Sequence, residues 1–279
     1  MLNKKKILVL VIAYNDQEFI LNVLEKFKKK LNFKKSEILI INDNSQDKTF
    51  EKICEFIKKN KKIAEKIKLV ENPKNKGYGK NQKMGYLYSI INKFDVVVMV
   101  HGDGQFGPEK IDEIIKPILN KKADAVLGSR MSKKIEALKG NMPMYKFIGN
   151  IILTKIQNFL LDTKLAEFHS GYRVYSVKTL KKIPFILNTQ DFHFDTEILI
   201  QLFLANANIT EVSIPTFYGD EICHVNGIKY AFNIVLTTLI AKVQKMSNFQ
   251  LTKKYYINQI HASSFNQINK LLIRAKSKN

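Results

Sequence analysis

The stretch VVVMVHGDGQFGP, Val96 to Pro108, decides how this chain is read. Its opening run, Val96 to Val100, has no polar break and reads as a short strand buried on both faces. The run stops at His101-Gly102-Asp103-Gly104-Gln105, which sets an imidazole, a carboxylate and an amide among glycines at the carboxyl end of that strand. Ligands of open α/β sheets bind at that end. Glycine there lets the backbone approach a bulky partner such as a diphosphate or a metal ion. Pro108-Glu109 suits the first turn of a following helix, and a plain polar turn before a helix would contain similar residues.

Working outward, the same pattern recurs. Ile7 to Ile12 is an apolar run ending in Ala13-Tyr14-Asn15-Asp16, followed by an amphipathic helix over about 18–30. Glu37 to Ile41 is a second strand, closed by Asn42-Asp43-Asn44-Ser45, and Asp47 is placed to cap a helix starting at Lys48. Ile67 to Val70 is a third strand, and the basic loop Asn72 to Gly79 leads into a helix over about 80–92. Ala125 to Leu127 is a fifth strand ending at Gly128-Ser129-Arg130. Strands alternating with helices over the first 130 residues predict βαβ units and a mostly parallel, Rossmann-like α/β sheet. The loops with Asp16, Asp43, Asp103 and Arg130 all follow strands and are expected on one sheet edge.

Composition narrows the classes. A chain of 279 residues that is 45% hydrophobic can bury a large core, and no apolar run reaches the ~20 residues that span a bilayer. The basic start flows straight into the first strand and has no cleavage-site pattern, so it does not read as a signal peptide. Two cysteines, Cys54 and Cys223, lack metal-type spacing and fit a reducing, cytoplasmic setting. The net charge of +21 suits anionic substrates or an anionic membrane surface. Nucleic acid is not the expected partner, because the lysines are spread along the chain and the aromatics follow no RNA-binding pattern. Of 46 basic residues only Arg130, Arg173 and Arg274 are arginine. In so lysine-rich a chain, Arg130 and Arg173 in their Gly-Ser-Arg and Gly-Tyr-Arg settings suggest bidentate phosphate binding.

The second half reads differently. Met131 to Asn141 is polar and is expected to be mobile. Residues 143–161 form an amphipathic helix with Tyr145, Ile148, Ile152, Ile156 and Phe159 on one side and Lys146, Asn150, Thr154 and Gln157 on another. Either it packs as an ordinary helix or it lies at a membrane interface. Glu167 to Ser176 is a polar turn running into a strand, and DFHFDTE, Asp191 to Glu197, precedes an apolar helix ending near Ala205. Ile209 to Ile214 alternates like a strand, and 228–243 is a helix too short and too interrupted to span a membrane. His193 and His224 lie near these loops and read as structural or surface residues.

Taken in order, these loops resemble the family 2 glycosyltransferases of the GT-A fold. The likeness is to the branch with dolichyl-phosphate mannosyltransferases and other polyprenyl-phosphate sugar transferases. It rests on Ala13-Tyr14-Asn15-Asp16 (family pattern Pro-Ala-Tyr-Asn-Glu), Asn42-Asp43-Asn44-Ser45 (Asp-Asp-Gly-Ser) and Asn75-Lys76-Gly77 (Asn-x-Gly). It continues through His101-Gly102-Asp103-Gly104-Gln105 (Asp-x-Asp-x-Gln), Gly128-Ser129-Arg130, Ser170-Gly171-Tyr172-Arg173 and Phe194-Asp195-x-Glu197. The likeness covers about residues 6–220. It implies a domain over 1–220, with a nucleotide-sugar half over 1–130 and an acceptor half over 131–220. Residues 221–279 would form a helical, basic extension.

The resemblance implies an inverting transfer from a UDP- or GDP-linked sugar to a polyprenyl phosphate or a glycan. A cytoplasmic chain without membrane spans would then either bind the inner face of the cell membrane peripherally, through 143–161 and the basic tail, or use a soluble acceptor. Ala13, Tyr14, Asn15, Asp16 and Asp43 would hold base and ribose, with Lys76, Gly77 and Gly102 around the donor. Asp103 and Gln105, with His101 in place of the first motif aspartate, would bind Mn²⁺ or Mg²⁺ bridging the diphosphate. Arg130 and Arg173 would grip diphosphate or an anionic acceptor. A lipid phosphate arrives ionised and needs no base; a sugar hydroxyl needs one, for which Asp195, Glu197 and His169 are the candidates. Three rival readings stay open: a soluble transferase acting on a saccharide in surface polysaccharide synthesis, a nucleotidyltransferase, and a nucleotide-sugar-binding protein without catalysis. The nucleotidyltransferase lacks support from any glycine-rich signature loop after the first strand.

Overall fold

A computed structural model describes residues 5–30, 36–215, 217–218, 225–247 and 251–255. Cys223, His224, most of the polar stretch 219–226 and the tail from 256, including Arg274, lie outside the described residues.

The predicted strands form where buried apolar runs stand. β1 (Ile7–Ala13) and β2 (Ser36–Asn42) are the longest, joined by α1 (Ile20–Lys30). α2 (Thr49–Lys59) and the single turn α3 (Lys61–Ala64) lead to β3 (Ile67–Glu71). α2 starts at Thr49 with Lys48, not Asp47, at its cap position, and Asp47 Oδ1 accepts the Thr49 N–H at 2.9 Å. α4 (Tyr78–Ile91), β4 (Val96–His101), α5 (Ile111–Leu119) and β5 (Ala125–Ser129) follow, with a 3₁₀ turn at Pro108–Lys110 ahead of α5. Next come α6 (Lys134–Lys139), α7 (Met144–Leu161), β6 (Arg173–Ser176), α8 (Val177–Leu180), α9 (Phe194–Leu204), β7 (Ile209–Ser213) and α10 (Gly227–Ser247).

Among the described residues these strands make one seven-stranded sheet in the order β3-β2-β1-β4-β6-β5-β7. Only β6 runs against its neighbours, β4 and β5; the other pairings are parallel. The mostly parallel sheet is as expected, but β6 inserts between β4 and β5, so the strand order is not that of the chain. Alternation along β1 sorts the core: Ile7, Val9, Val11 and Ala13 face α1, α2 and α5, while Leu8, Leu10 and Ile12 face α4 and α9.

Two expectations for the second half are corrected. The stretch after β5 is not a structureless connection: it holds α6, and Met131, Ala137 and Met142 bury against Tyr218. α7 does pack, but with the opposite side to that of an ordinary packing helix. Its polar residues Asn150, Thr154 and Gln157 are buried, while Tyr145, Ile148, Ile152 and Phe159 are exposed.

The strand ends position the site. Parallel register sets Ala13 beside Asn42, Asn42 beside Glu71 and Ile12 beside His101, so the loops after β1, β2 and β4 leave the sheet at one level.

Candidate active site

At that edge a cleft of about 600 Å³ is lined by Ile12, Tyr14 and Asp16 from the first loop, Asp43 from the second, and Asn75 to Tyr78 with Asn81 from the third. His101 and Asp103 close it from β4, and Gln190, Asp191 and Phe192 face them from the segment before α9. A concave site of this size suits a nucleotide-sized ligand.

Local chemistry holds the loops. Asn15 and Asn44 take left-handed backbone (φ 56° and 59°), which asparagine tolerates. They are tied together by Ser45, whose Oγ accepts the Asn15 N–H at 2.9 Å, and by Asn15 Oδ1, which accepts the Gln46 N–H at 2.8 Å. Asp43 is buried and its carboxylate accepts from Asn72 Nδ2 (2.7 Å), Lys76 N (2.8 Å) and Gly77 N (3.0 Å). It therefore shapes the third loop besides lining the cleft. Gly77 has φ +88°, and a Cβ there would stand 2.8 Å from the Gln190 carbonyl oxygen, so only glycine fits. Ala13 contributes its carbonyl, which accepts the Asp43 N–H, and the Gly102 N–H donates to Ile12.

Asp16 is buried, accepts the Tyr14 N–H at 3.0 Å and lies near Asp103. Burial first, and the Asp103 charge second, push its carboxyl well above the usual carboxylate range. Burial and the neighbouring Asp103 carboxylate thus both favour the neutral form of Asp16.

His101 is oriented by a chain of hydrogen bonds. Tyr78 Oη lies 2.8 Å from Asp195 Oδ2 and 2.9 Å from His101 Nε2. Burial, then the adjacent Asp195, hold the Tyr78 phenol far above its ordinary pKa, so it stays protonated. Its single proton goes to the carboxylate, which only accepts, and His101 Nε2–H must then donate to Tyr78. Nδ1 faces Asp103 Oδ2 at 3.6 Å. Packing fixes the ring: Tyr78 and Phe106 meet it edge-on, Phe192 stacks on Tyr78, and a Cβ on Gly171 would stand 2.3 Å from His101 Cε1.

The two arginines lie behind this wall. Arg173 is fully buried and donates to the carbonyls of Phe168 (2.7 Å), Ser170 (2.8 Å) and Asp195 (3.1 Å), with Asp195 Oδ2 at 3.5 Å from Nε. Arg130 is buried against Glu167, which also accepts from the Arg130 N–H and Asn150 Nδ2, both at 2.7 Å. Arg130 also reaches Tyr218 Oη (2.6 Å) and the His169 carbonyl (3.2 Å). Neither guanidinium lines the cleft, and both are held by oxygens of the protein itself.

The pattern that describes Glycosyl transferase family 2 matches residues 8–184, which include every loop of the cleft up to Asp103. The chain belongs to that family. It is a glycosyltransferase. Among its relatives is the UDP-N-acetylglucosamine–dolichyl-phosphate N-acetylglucosaminyltransferase of Methanococcus voltae, 28% identical over 87% of this chain and 98% of that one. The dolichyl-phosphate beta-glucosyltransferase of Dictyostelium discoideum is 28% identical over 74% of this chain and 64% of that one. In fold, the chain resembles glucosyl-3-phosphoglycerate synthase from Mycobacterium tuberculosis, with a TM-score of 0.62, 15% identity, and coverage of 86% of this chain and 79% of that one. That structure contains Mn²⁺, uridine diphosphate and phosphoglyceric acid.

Within this glycosyltransferase the expected site residues separate into two groups. Tyr14, Asp16, Asp43, Lys76, Gly77, His101 and Asp103 share the cleft. Gln105 does not line it: its N–H donates to Asp103 Oδ1 at 3.0 Å and its carbonyl accepts from Phe217. Among the described residues no three or more His, Cys, Asp or Glu side chains form a metal-holding group; His101 and Asp103 lie 3.6 Å apart in the cleft.

The three candidates for a base also lie off the cleft. Asp195 is held by Tyr78, Gln82 Nε2 (2.8 Å) and Arg173. Glu197 accepts the Thr189 N–H at 2.5 Å and Lys254 Nζ at 2.6 Å, fastening the loop before α9 and the 251–255 segment. His169 Nδ1 sits 3.3 Å from Tyr230 Oη on α10, and burial drops the imidazole pKa to about 3, so the ring is neutral. Sequence reasoning missed Tyr78, which follows the Asn-Lys-Gly loop directly, and Asp191, the second-half carboxylate that does line the cleft.

Proposed function

We propose that this glycosyltransferase moves a hexosyl group from a UDP- or GDP-linked sugar to a polyprenyl phosphate, with inversion at the anomeric carbon. The observation that carries the reading is the His101 Nδ1 and Asp103 Oδ2 pair, 3.6 Å apart inside the cleft. A ring nitrogen and a carboxylate oxygen at that spacing would serve as a donor set for one divalent cation. A nitrogen ligand suits Mn²⁺, and Mg²⁺ remains compatible through the carboxylate and the substrate's own oxygens. When bound, such an ion would supply Lewis-acid neutralisation of the leaving nucleoside diphosphate. Tyr14, Asp16 and Asp43 would face base and ribose, and Lys76 the phosphates. The donor half would span 1–130, the acceptor half 131–220 and the extension 221–279.

In the reaction an acceptor phosphate oxygen forms a bond to the anomeric carbon as the bond from that carbon to the diphosphate oxygen breaks. The acceptor is already ionised, so no protein group has to take a proton. This agrees with a cleft from which Asp195, Glu197 and His169 are withdrawn into the wall. The similarity to two dolichyl-phosphate sugar transferases supports the same acceptor class. A saccharide hydroxyl is the second reading, favoured by one observation: Asp191 lines the cleft and would be the carboxylate to receive its proton.

Calorimetric titration with UDP- and GDP-sugars in Mn²⁺, Mg²⁺ or chelator tests the donor site. Binding that requires metal and is lost in Asp103→Ala is the expected result. Donor binding indifferent to both would sink the cleft reading.

A further inference from the structure

α7 and α10 bury polar side chains and expose large apolar ones. On α10, as on α7, the inward residues include Thr238 and Gln244 alongside Ile234 and Ala241. The outward residues are large and apolar: Tyr145 (72% exposed) and Phe159 (80%) on α7, and Ile228 (87%), Phe232 (67%) and Met246 (74%) on α10. A globular helix ordinarily shows the opposite arrangement. The two helices pack along each other, and their inner faces reach the same body: Asn150 binds Glu167, Tyr230 meets His169, and Ile240 packs with Ile200. Their exposed apolar residues therefore stand on two adjacent helices.

The charges on the two helices have one sign, and Asp162, the residue that ends α7, pairs with Lys242 at 2.9 Å. α7 contains Lys146 and Lys155, α10 contains Lys229, Lys242 and Lys245, and neither helix has an aspartate or glutamate. No acidic residue occurs anywhere from Asn226 to Asn279. At 18 and 21 residues the helices are about 27 and 31 Å long at 1.5 Å per residue. No helix among the described residues is long and apolar enough to cross a membrane.

We infer that α7 and α10 together form a docking face that lies in the surface of an anionic lipid bilayer, with the apolar residues in the acyl boundary and the lysines at the headgroups. Lysine-rich helices with a broad apolar face bind membranes in that way. A second copy of the chain is a poorer occupant. A symmetric pair would bring the same lysine-rich face against itself in a protein of net charge +21. The inference rests on the lipid-phosphate reading for its purpose, bringing the cleft to a membrane-borne acceptor, and on this surface for its physical basis.

The chain contains no tryptophan, so one introduced indole is a clean reporter. Phe159→Trp and Phe232→Trp are made in the full chain, with Leu21→Trp, on α1 at the other face of the sheet, as the control. Vesicles of phosphatidylcholine alone, or mixed equally with phosphatidylglycerol, are added without nucleotide sugar. Emission of the α7 and α10 reporters is expected to move to the blue with the anionic vesicles only, and that of Leu21→Trp to stay in place. In co-sedimentation, Phe159→Asp with Phe232→Asp is expected to weaken binding at least tenfold, with the thermal midpoint unchanged.

Three results would overturn the inference. The first is reporters unmoved by anionic vesicles. The second is binding abolished by salt yet indifferent to the aspartates, which marks diffuse lysine attraction. The third is emission already blue without lipid, which marks a face covered by protein. Donor titration of the same variants separates this from failure of the transferase reading: it should match wild type, because neither phenylalanine lines the cleft.

Discussion

The two halves of the sheet obey opposite rules of exposure. In β1, β2 and β4 the apolar residues are buried and the polar ones gather at the strand ends, where they line an open cleft. Between Arg130 and Arg173 the polar side chains of Arg130, Asn150, Gln157, Glu167 and Arg173 are buried, while Tyr145, Ile148, Ile152 and Phe159 of α7 are exposed. The amino-terminal half has the build of a site that meets a polar ligand. The carboxy-terminal half is a wall whose polar groups hold one another, with an apolar outer surface. The difference teaches that polarity in a sequence reports what a residue needs as partners, and those partners are either solvent and ligand or the protein's own interior.

The sharpest way to break this contrast is at the buried ions. Arg130→Ala leaves Glu167, which is 1% exposed, without its cation, and a loss of about 3–5 kcal/mol in denaturant unfolding is expected. A loss within experimental error of zero would show that the wall is not held by charge. Asp103→Ala works on the open side. It should cut metal-dependent turnover by at least about 100-fold, on the order of 2.7 kcal/mol, while leaving the unfolding midpoint in place.

Two further changes sharpen the join between halves. Tyr78→Phe frees the His101 tautomer and should weaken Mn²⁺-dependent donor binding about tenfold, as loss of an outer hydrogen bond to a metal ligand commonly does. His101→Asp, which restores a second carboxylate, should raise the preference for Mg²⁺ over Mn²⁺ in the same titration. His169 tests the wall by pH. Burial holds its pKa near 3 against an ordinary 6.5, so the unfolded chain binds a proton that the fold refuses. Stability should therefore fall as pH drops from about 6.5 toward 3, by at most about 1.4 kcal/mol per pH unit, and His169→Gln should remove that part of the slope. The smallest effect belongs to the surface: Lys5→Ala, which breaks the exposed pair with Asp95, should cost less than about 1 kcal/mol.

The amino-terminal half was largely legible from the chain alone. Continuous runs such as Ile7 to Ile12 and Val96 to Val100 have no face to show to water, so they announce buried strands, and the polar residues after them mark the edge. Asp43 and Gly77 stood out within that frame, although their mutual hydrogen bond did not. The carboxy-terminal half was less legible because its meaning depends on partners distant in sequence. Arg173 looks free for phosphate until β6 threads between β4 and β5 and brings its side chain to the start of α9. The apolar stripe of α7 was visible, but periodicity states which residues share a face and not which face meets the body. Tyr78 carried no pattern beyond its place after Gly77; its role appears only when His101 and Asp195 come within reach of one hydroxyl.

The most direct test of the whole account is transfer itself. Wild-type protein with Mn²⁺ and its best nucleotide sugar would be offered a polyprenyl phosphate in anionic vesicles, beside a soluble saccharide, with release of nucleoside diphosphate and formation of glycolipid both measured. The account predicts a sugar-phosphate polyprenol as product and no acceleration by the saccharide. Transfer to the saccharide, with the lipid phosphate ignored, would contradict it.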